Sequence, residues 1–333
     1  MLILAAAAVY GYFWYVRGID LIRDYGGPAS LLPAYVYSEK PAVKSGGYWL
    51  AAAPMPTPRI GAAAANIGGK IYVIGGRDGF GRTVAKVEIF DIFNNTWSTG
   101  APLPLPLQGL SLVSSQNKLY AIGGLKGLAS IPSASLFIYD AENGSWSRGA
   151  DPPRGMGLAA ALLLDERIHV FGGRSATGSI SSHYIYDPLK NAWEQGEEMN
   201  SVREAMAGAV VDGRIYLAGG REGSSVNNLR TFEVYDSKTG LWEDLDAMPT
   251  RRGDGAAAEL SGRMYVFGGE AATMTFDQVE TYDLKDHRWQ SAAPMPVPLH
   301  GFGIAAINGR AFIFGGGQRP GWSVTDLSLV YIP

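Results

Sequence analysis

The sequence contains no cysteine. That excludes disulfides, thiolate-bound metals and a cysteine nucleophile, and leaves the redox compartment open. Histidine is nearly as scarce, at His169, His183, His287 and His300. No two of them have the spacing of a local metal-binding pair such as H-x3-H, so neither a metal centre nor a cofactor is expected. Charge is thin too: Lys, Arg, Asp and Glu make up 18% of the 333 residues, below the usual share of about a quarter. The net charge of −3 excludes the basic footprint of a nucleic-acid-binding protein.

Long apolar runs are also lacking, except at the N-terminus. "MLILAAAAVYGYFWYV" carries no charge for 16 residues, up to Arg17. A bilayer-spanning helix takes about 20 apolar residues, with about 17 as a practical minimum. Tyr10, Tyr12, Trp14 and Tyr15 cluster where an interfacial aromatic belt would sit. Residues 1–17 are therefore expected to form a hydrophobic helix acting as a membrane or signal anchor, which makes the protein single-pass. The alternatives are a cleaved signal peptide, with a secreted protein, and a helix docked on a partner. Arg17 and Arg23 mildly favour a cytoplasmic domain, but the side stays open. Residues 18–45, with Gly26, Gly27, Pro28, Pro33 and Pro41, read as a linker.

What the chain has in abundance is glycine, 44 residues of it, arranged in register. Pairs recur at 75–76, 123–124, 172–173, 219–220, 268–269 and 315–316. Trp49, Trp97, Trp146, Trp193, Trp242 and Trp289 each precede a pair by 26 positions. Five repeats add an aromatic–Asp pair before the next tryptophan, as at Phe90-Asp91 and Tyr139-Asp140. A period of 47–49 residues signals a propeller or solenoid. Each repeat reads as four short strands, for example "GLSLVSS", "KLYAIGG", "SLFIYD" and "SWSRG", joined by tight turns. Six four-stranded antiparallel sheets can close radially and leave few exposed edges.

The glycine pair, the aromatic residue about 14 positions later and the tryptophan beyond it resemble the kelch repeat, over residues 46–333. The resemblance implies an all-β, six-bladed β-propeller domain over those residues. Small residues in "GAAAAN", "GLAAAL", "AMAGAV" and "DGAAAEL" suit the crowded innermost strand. The tryptophans are expected to pack between blades. The second glycine of each pair is expected either to take a backbone conformation costly for other residues or to admit the neighbouring blade. The chain ends without a tryptophan after "LSLVYI", so "GGYWLAA" near residue 50 is expected to complete the last blade.

The "GG" loops resemble phosphate-binding loops, but a strand follows each one, and a phosphate site would need a helix N-terminus there. On the face carrying those loops, Arg77, Arg174 and Arg221 directly follow a glycine pair, and Arg59, Arg203 and Arg252 lie ten residues after a tryptophan. With Arg154, Arg251 and His300 nearby, they make a candidate site for carboxylate or phosphate groups. The competing reading is structural, with the arginines bonded to loop backbone and neutralised by Asp78, Glu204, Glu222, Asp254 and Glu270. The opposite face carries Lys70, Lys118, Arg167, Arg214, Arg263 and Arg310, a basic ring whose plainer reading is solvation of exposed turns. Asn94 and Asn143 head N-x-[ST] sequons that read as turn chemistry.

The expected function is thus non-catalytic binding of a protein or acidic small ligand by a membrane-tethered propeller, through its Arg-rich loop face. Sialic-acid mutarotases share the six-bladed kelch fold. An alternative is therefore a sugar-acid epimerase or mutarotase, drawing on Glu204, Glu270 or His300.

Overall fold

The computed structural model describes residues 46–333. The expected hydrophobic helix at 1–17 and the linker at 18–45 lie outside the described residues. Six four-stranded antiparallel sheets form the blades of a propeller. In blade 1 the strands run from the centre outwards as Ala63–Ile67, Lys70–Ile74, Val87–Asp91 and Thr96–Thr99. Blades 2 to 5 repeat this order along the chain. Blade 6 takes three strands from the C-terminus, and its outermost strand is Tyr48–Ala51. Trp49 pairs in register with Tyr331. The N-terminal strand therefore closes the ring as expected, and no blade is left with an unpaired edge facing a neighbour.

The second strand of every blade is buried almost throughout, with apolar residues on both faces. One face packs on the preceding blade and the other on the following one, so the strands read as continuous apolar runs rather than alternating ones. Around the axis the innermost strands supply Ala64, Ala161, Gly208, Ala257 and Ile304 to a channel of ≈ 300 Å³. Four blades place Ala or Gly there, where six strands converge, while blade 2 contributes Leu112 and blade 6 Ile304.

Three closed circuits of hydrogen bonds tie the blades together. Nearest the axis, Gly61, Gly109, Leu158, Ala205, Asp254 and Gly301 each donate a backbone N–H to the carbonyl of the equivalent residue in the preceding blade, at 2.7–2.8 Å. Every one of these six residues has a positive φ. Further out, the second glycine of each pair donates to the following blade, as Gly76 does to Leu107 and Gly220 to Arg252. On the rim, each repeat tryptophan donates its indole N–H to a carbonyl of the preceding blade, from Trp97 to Ala53 at 2.9 Å round to Trp49 to Ala293 at 3.1 Å. The tryptophans pack between blades as expected, although only Trp49 is fully buried and the other five are partly exposed.

Both glycines of a pair have a positive φ and no room for a side chain: a Cβ on Gly75, at φ +68°, would overlap the carbonyl oxygen of Leu107 in the next blade, and one on Gly76, at φ +101°, would crowd the Ile60 carbonyl of its own blade. The approach of the neighbouring blade thus falls on the first glycine, and the conformational demand on both.

Candidate functional site

The structure divides the sequence-predicted arginines into two groups. Arg59, Arg203 and Arg252 do not reach the loop-side mouth. Their exposures are 0%, 0% and 2%, and their guanidiniums turn into the blade. Arg203 bonds Glu233 at 2.7 Å and the carbonyls of Gly219 and Thr231 at 2.8 and 3.1 Å. Arg252 bonds Glu280 at 2.8 Å, and Arg59 is paired with Glu88 in the same way. A hydroxyl two residues before each arginine also donates to that glutamate: Thr57 at 2.6 Å, Ser201 at 2.9 Å and Thr250 at 2.6 Å. The other three blades replace the Arg–Glu pair with uncharged residues: Leu107 with Phe137, Met156 with Tyr184, and Leu299 with Leu329. The Arg–Glu pairs are thus core elements interchangeable with apolar ones, in keeping with the small net worth of a buried ion pair. In sequence they appear as [ST]-x-R with a glutamate about thirty residues on, the glutamate present only where the arginine is.

Arg77, Arg174 and Arg221 do reach the mouth. They line a depression of ≈ 330 Å³ together with Gln108, Ser130, Asp254, Glu270 and Trp322. Each guanidinium projects there because its residue immediately follows a glycine pair, at the point where the second strand leaves the blade. Sequence reasoning missed Gln108, Ser130 and Trp322 as wall residues. Trp322 stands half-exposed in "GQRPGWSV", a loop unlike its counterparts in the other blades.

A chain of alternating charges runs round this mouth from blade 3 to blade 6. Arg174 pairs with Glu204, its Nε at 2.9 Å from Oε2. Ser179 adds a hydroxyl donor to Glu204 at 3.0 Å, and Arg221 an Nε–H at 3.4 Å. Arg221 then donates to Glu270 Oε1 at 2.8 Å, and the Gly321 N–H to Oε2 at 2.8 Å. His300, 1% exposed, places Nδ1 3.0 Å from Asp254 Oδ2 and 3.4 Å from Glu270 Oε2. Its Nε2 meets the Arg319 carbonyl at 2.9 Å.

Burial pushes the His300 imidazole towards neutrality, but the Asp254 hydrogen bond and the charges of Asp254 and Glu270 outweigh it and raise its pKa. Burial also pushes the Asp254 carboxyl up, against the stronger downward pull of the His300 hydrogen bond and the Arg221 charge. For Arg221, Asp254, Glu270 and Glu204 together more than offset burial and lift the guanidinium above its ordinary value.

Arg77 stands outside this chain. Among the described residues no carboxylate pairs with it, its buried Nε has no acceptor, and Nη2 makes one long contact to the Gly127 carbonyl at 3.4 Å. It is the mouth guanidinium with most capacity left for an incoming acceptor.

The opposite face is close to neutral. Arg214 and Arg263 pair with Asp236 and Asp283 at 3.3 and 2.7 Å, and Arg167 pairs with Glu194. Lys70 and Lys118 stand in register with Asp91 and Asp140. Of the ring, only Arg310 lacks an aspartate across the strand, where Ile332 stands instead. The sequon residues Asn94 and Asn143 cap their turns by donating to Asp91 and Asp140, each at 3.0 Å. His169 is buried and bonded to His183 at 3.0 Å, far from either face opening.

The comparisons agree with this architecture. A family model described as the KLHDC2/KLHL20/DRC7 Kelch-repeats domain matches residues 109–316, more than half of the chain, and a Kelch motif model matches residues 58–104. No curated protein matches the sequence. A solved structure titled "Structure of YjhT" superposes with a TM-score of 0.72 at 14% identity, covering 83% of this chain and 95% of that one. At that identity the likeness speaks for the fold alone.

Proposed function

Because the chain belongs to the kelch-repeat family, we propose that it is a non-catalytic binding module that receives an acidic group of a protein or small ligand at its loop-side mouth. The observation that carries this reading is Arg77, whose guanidinium lacks a carboxylate partner among the described residues and borders the same depression as Arg174 and Arg221. Arg174, with its side chain 32% exposed, stands in the same wall. A carboxylate entering there meets forked donors in a partly dehydrated setting, where charge-assisted hydrogen bonds are strongest. Glu204 is fully buried and already accepts from Arg174, Arg221 and Ser179, and Glu270 accepts from Arg221 and Gly321. Carboxylates so occupied are poor acid–base catalysts, which favours binding over sugar-acid epimerisation.

We place the propeller on a membrane through residues 1–17. Tyr48 pairs with Ile332 at the hairpin-turn end of blade 6, so the described chain begins at the face opposite the mouth. A tether there leaves the mouth turned away from the bilayer. The near-neutral hairpin face adds little attraction to anionic lipid, and the hydrophobic segment supplies the anchorage.

The test is to screen carboxylated small molecules and acidic peptides by thermal shift, then titrate the strongest hit against the wild-type chain and Arg77→Ala. A charge-assisted bond is worth about 1.5–3 kcal/mol, so the variant should bind on the order of 10- to 100-fold more weakly. Equal affinity in the variant would exclude the mouth as the acid-binding site.

A further inference from the structure

We propose that Asp254, Glu270 and His300 form a binding site for a divalent transition-metal ion, with nitrogen and oxygen ligands, at the rim of the channel. Three donor atoms converge there: His300 Nδ1, Asp254 Oδ2 and Glu270 Oε2, all within 4.8 Å of one another. The imidazole nitrogen is 3.0 Å from one carboxylate oxygen and 3.4 Å from the other. Ligands bonded at about 2.1 Å to one ion stand about 3.0–3.4 Å apart in octahedral or tetrahedral geometry. The two nitrogen–oxygen separations already match.

The orientation of the ring is an independent observation. His300 Nε2 faces the Arg319 carbonyl at 2.9 Å, and a carbonyl only accepts. Nε2 therefore carries a proton, and Nδ1 is left as the nitrogen facing two carboxylates. Three electron-rich atoms in contact need a cation between them, either a proton on Nδ1 or a metal ion. Metal-bound histidines are held in this way, with the distal N–H fixed to a backbone carbonyl. The carboxylates have outer support as well: Arg221 and the Gly321 N–H orient Glu270. Asp254 is held at φ +60°, a left-handed conformation that aspartate tolerates better than most residues and that three of its five ring counterparts meet with glycine.

One imidazole with two carboxylates suits a borderline ion such as Zn²⁺. Mg²⁺ and Ca²⁺ prefer oxygen ligands alone. The three donors come from separate loops of blades 5 and 6, so no local spacing announces them. The expectation of no metal centre rests on the spacing of histidines in the sequence, whereas this geometry arises only when the ring closes. Asp254 and Glu270 also line the mouth depression, so a bound ion keeps a side open to it.

The experiment uses the full chain, stripped with a chelator and equilibrated with Zn²⁺. Retention of one equivalent in preference to Mg²⁺ is expected, with affinity reduced at least about 100-fold in His300→Gln and Asp254→Asn. The melting temperature of each variant in chelator reports whether it is folded. Should the variants fail to fold, the wild-type chain loaded with Co²⁺ decides: a hyperfine-shifted imidazole N–H resonance is expected from a histidine ligand. Failure to retain Zn²⁺, folded variants that bind as tightly as the wild type, or a Co²⁺ form without that resonance each overturns the site and leaves a proton as the cation at Nδ1.

Discussion

The buried pair Arg203–Glu233 offers a sharp test, because the protein carries its own control. Both side chains are fully buried in blade 4, and blade 6 holds Leu299 and Leu329 in the same positions. Arg203→Leu strands the Glu233 carboxylate, leaving it the Ser201 hydroxyl at 2.9 Å as its one side-chain donor. Breaking a buried pair from one side costs about 3–5 kcal/mol. At about 2–4 °C per kcal/mol for a domain this large, the melting temperature should fall on the order of 10 °C. Glu233→Leu should cost less, because the orphaned guanidinium keeps the Gly219 and Thr231 carbonyls as acceptors. Arg203→Leu/Glu233→Leu reproduces the blade 6 solution and should return to within about 1–2 kcal/mol of wild type. Thermal unfolding followed by circular dichroism at pH 7 measures all three. A double variant that melts as low as Arg203→Leu would show that the pair does more than fill the core, and would refute its interchangeability with apolar residues.

Two further outcomes are expected. His169 and His183 form a buried pair whose pKa values are lowered by burial to about 4 and about 3. The unfolded chain protonates them near 6.5, so their stabilising contribution is intact above that pH and is lost as pH falls towards 4 and 3, at up to about 1.4 kcal/mol per pH unit for each. The variant His169→Tyr/His183→Phe, which copies Tyr216 and Phe232 of blade 4, should lose less melting temperature than wild type between pH 7 and 4.5. Parallel losses would assign the acid sensitivity to other groups. For the proposed tether, the full chain should sediment with membranes and resist salt extraction, while a chain without residues 1–17 stays in the supernatant. Co-fractionation of both forms would place the attachment elsewhere.

Most of the fold was legible because the repeat is written in residues that each have one job. The glycine pair and the tryptophan mark fixed points in every blade, the aromatic–Asp pair in five of them, and their offsets gave the blade count and the N-terminal closure. The site was less legible for a specific reason. Arg59 and Arg77 look alike in sequence, both basic and both near a blade's loop end, yet one turns into the blade and the other towards the mouth. The distinguishing information was the matching glutamate, at Glu88, Glu233 and Glu280, which becomes meaningful only when the loop entering a blade is known to lie against that blade's third strand. Asp254 and His300 belong to different blades and meet through ring closure, a contact no local motif records. Trp322 lies in an irregular loop where the repeat gives no guidance.

The innermost circuit of hydrogen bonds has a consequence for how such a mouth can change. Each N–H at that ring is already matched to a carbonyl of the neighbouring blade, and each of those carbonyls to an N–H. These six residues therefore have no unspent main-chain donor to offer a guest. Selectivity rests on side chains that project from positions such as 77, 174, 221 and 270, which lie outside the six residues that keep the circle shut. A propeller built this way is a fixed socket with replaceable pins: its preference for a guest can drift by single substitutions while the frame that holds the pins stays as it is.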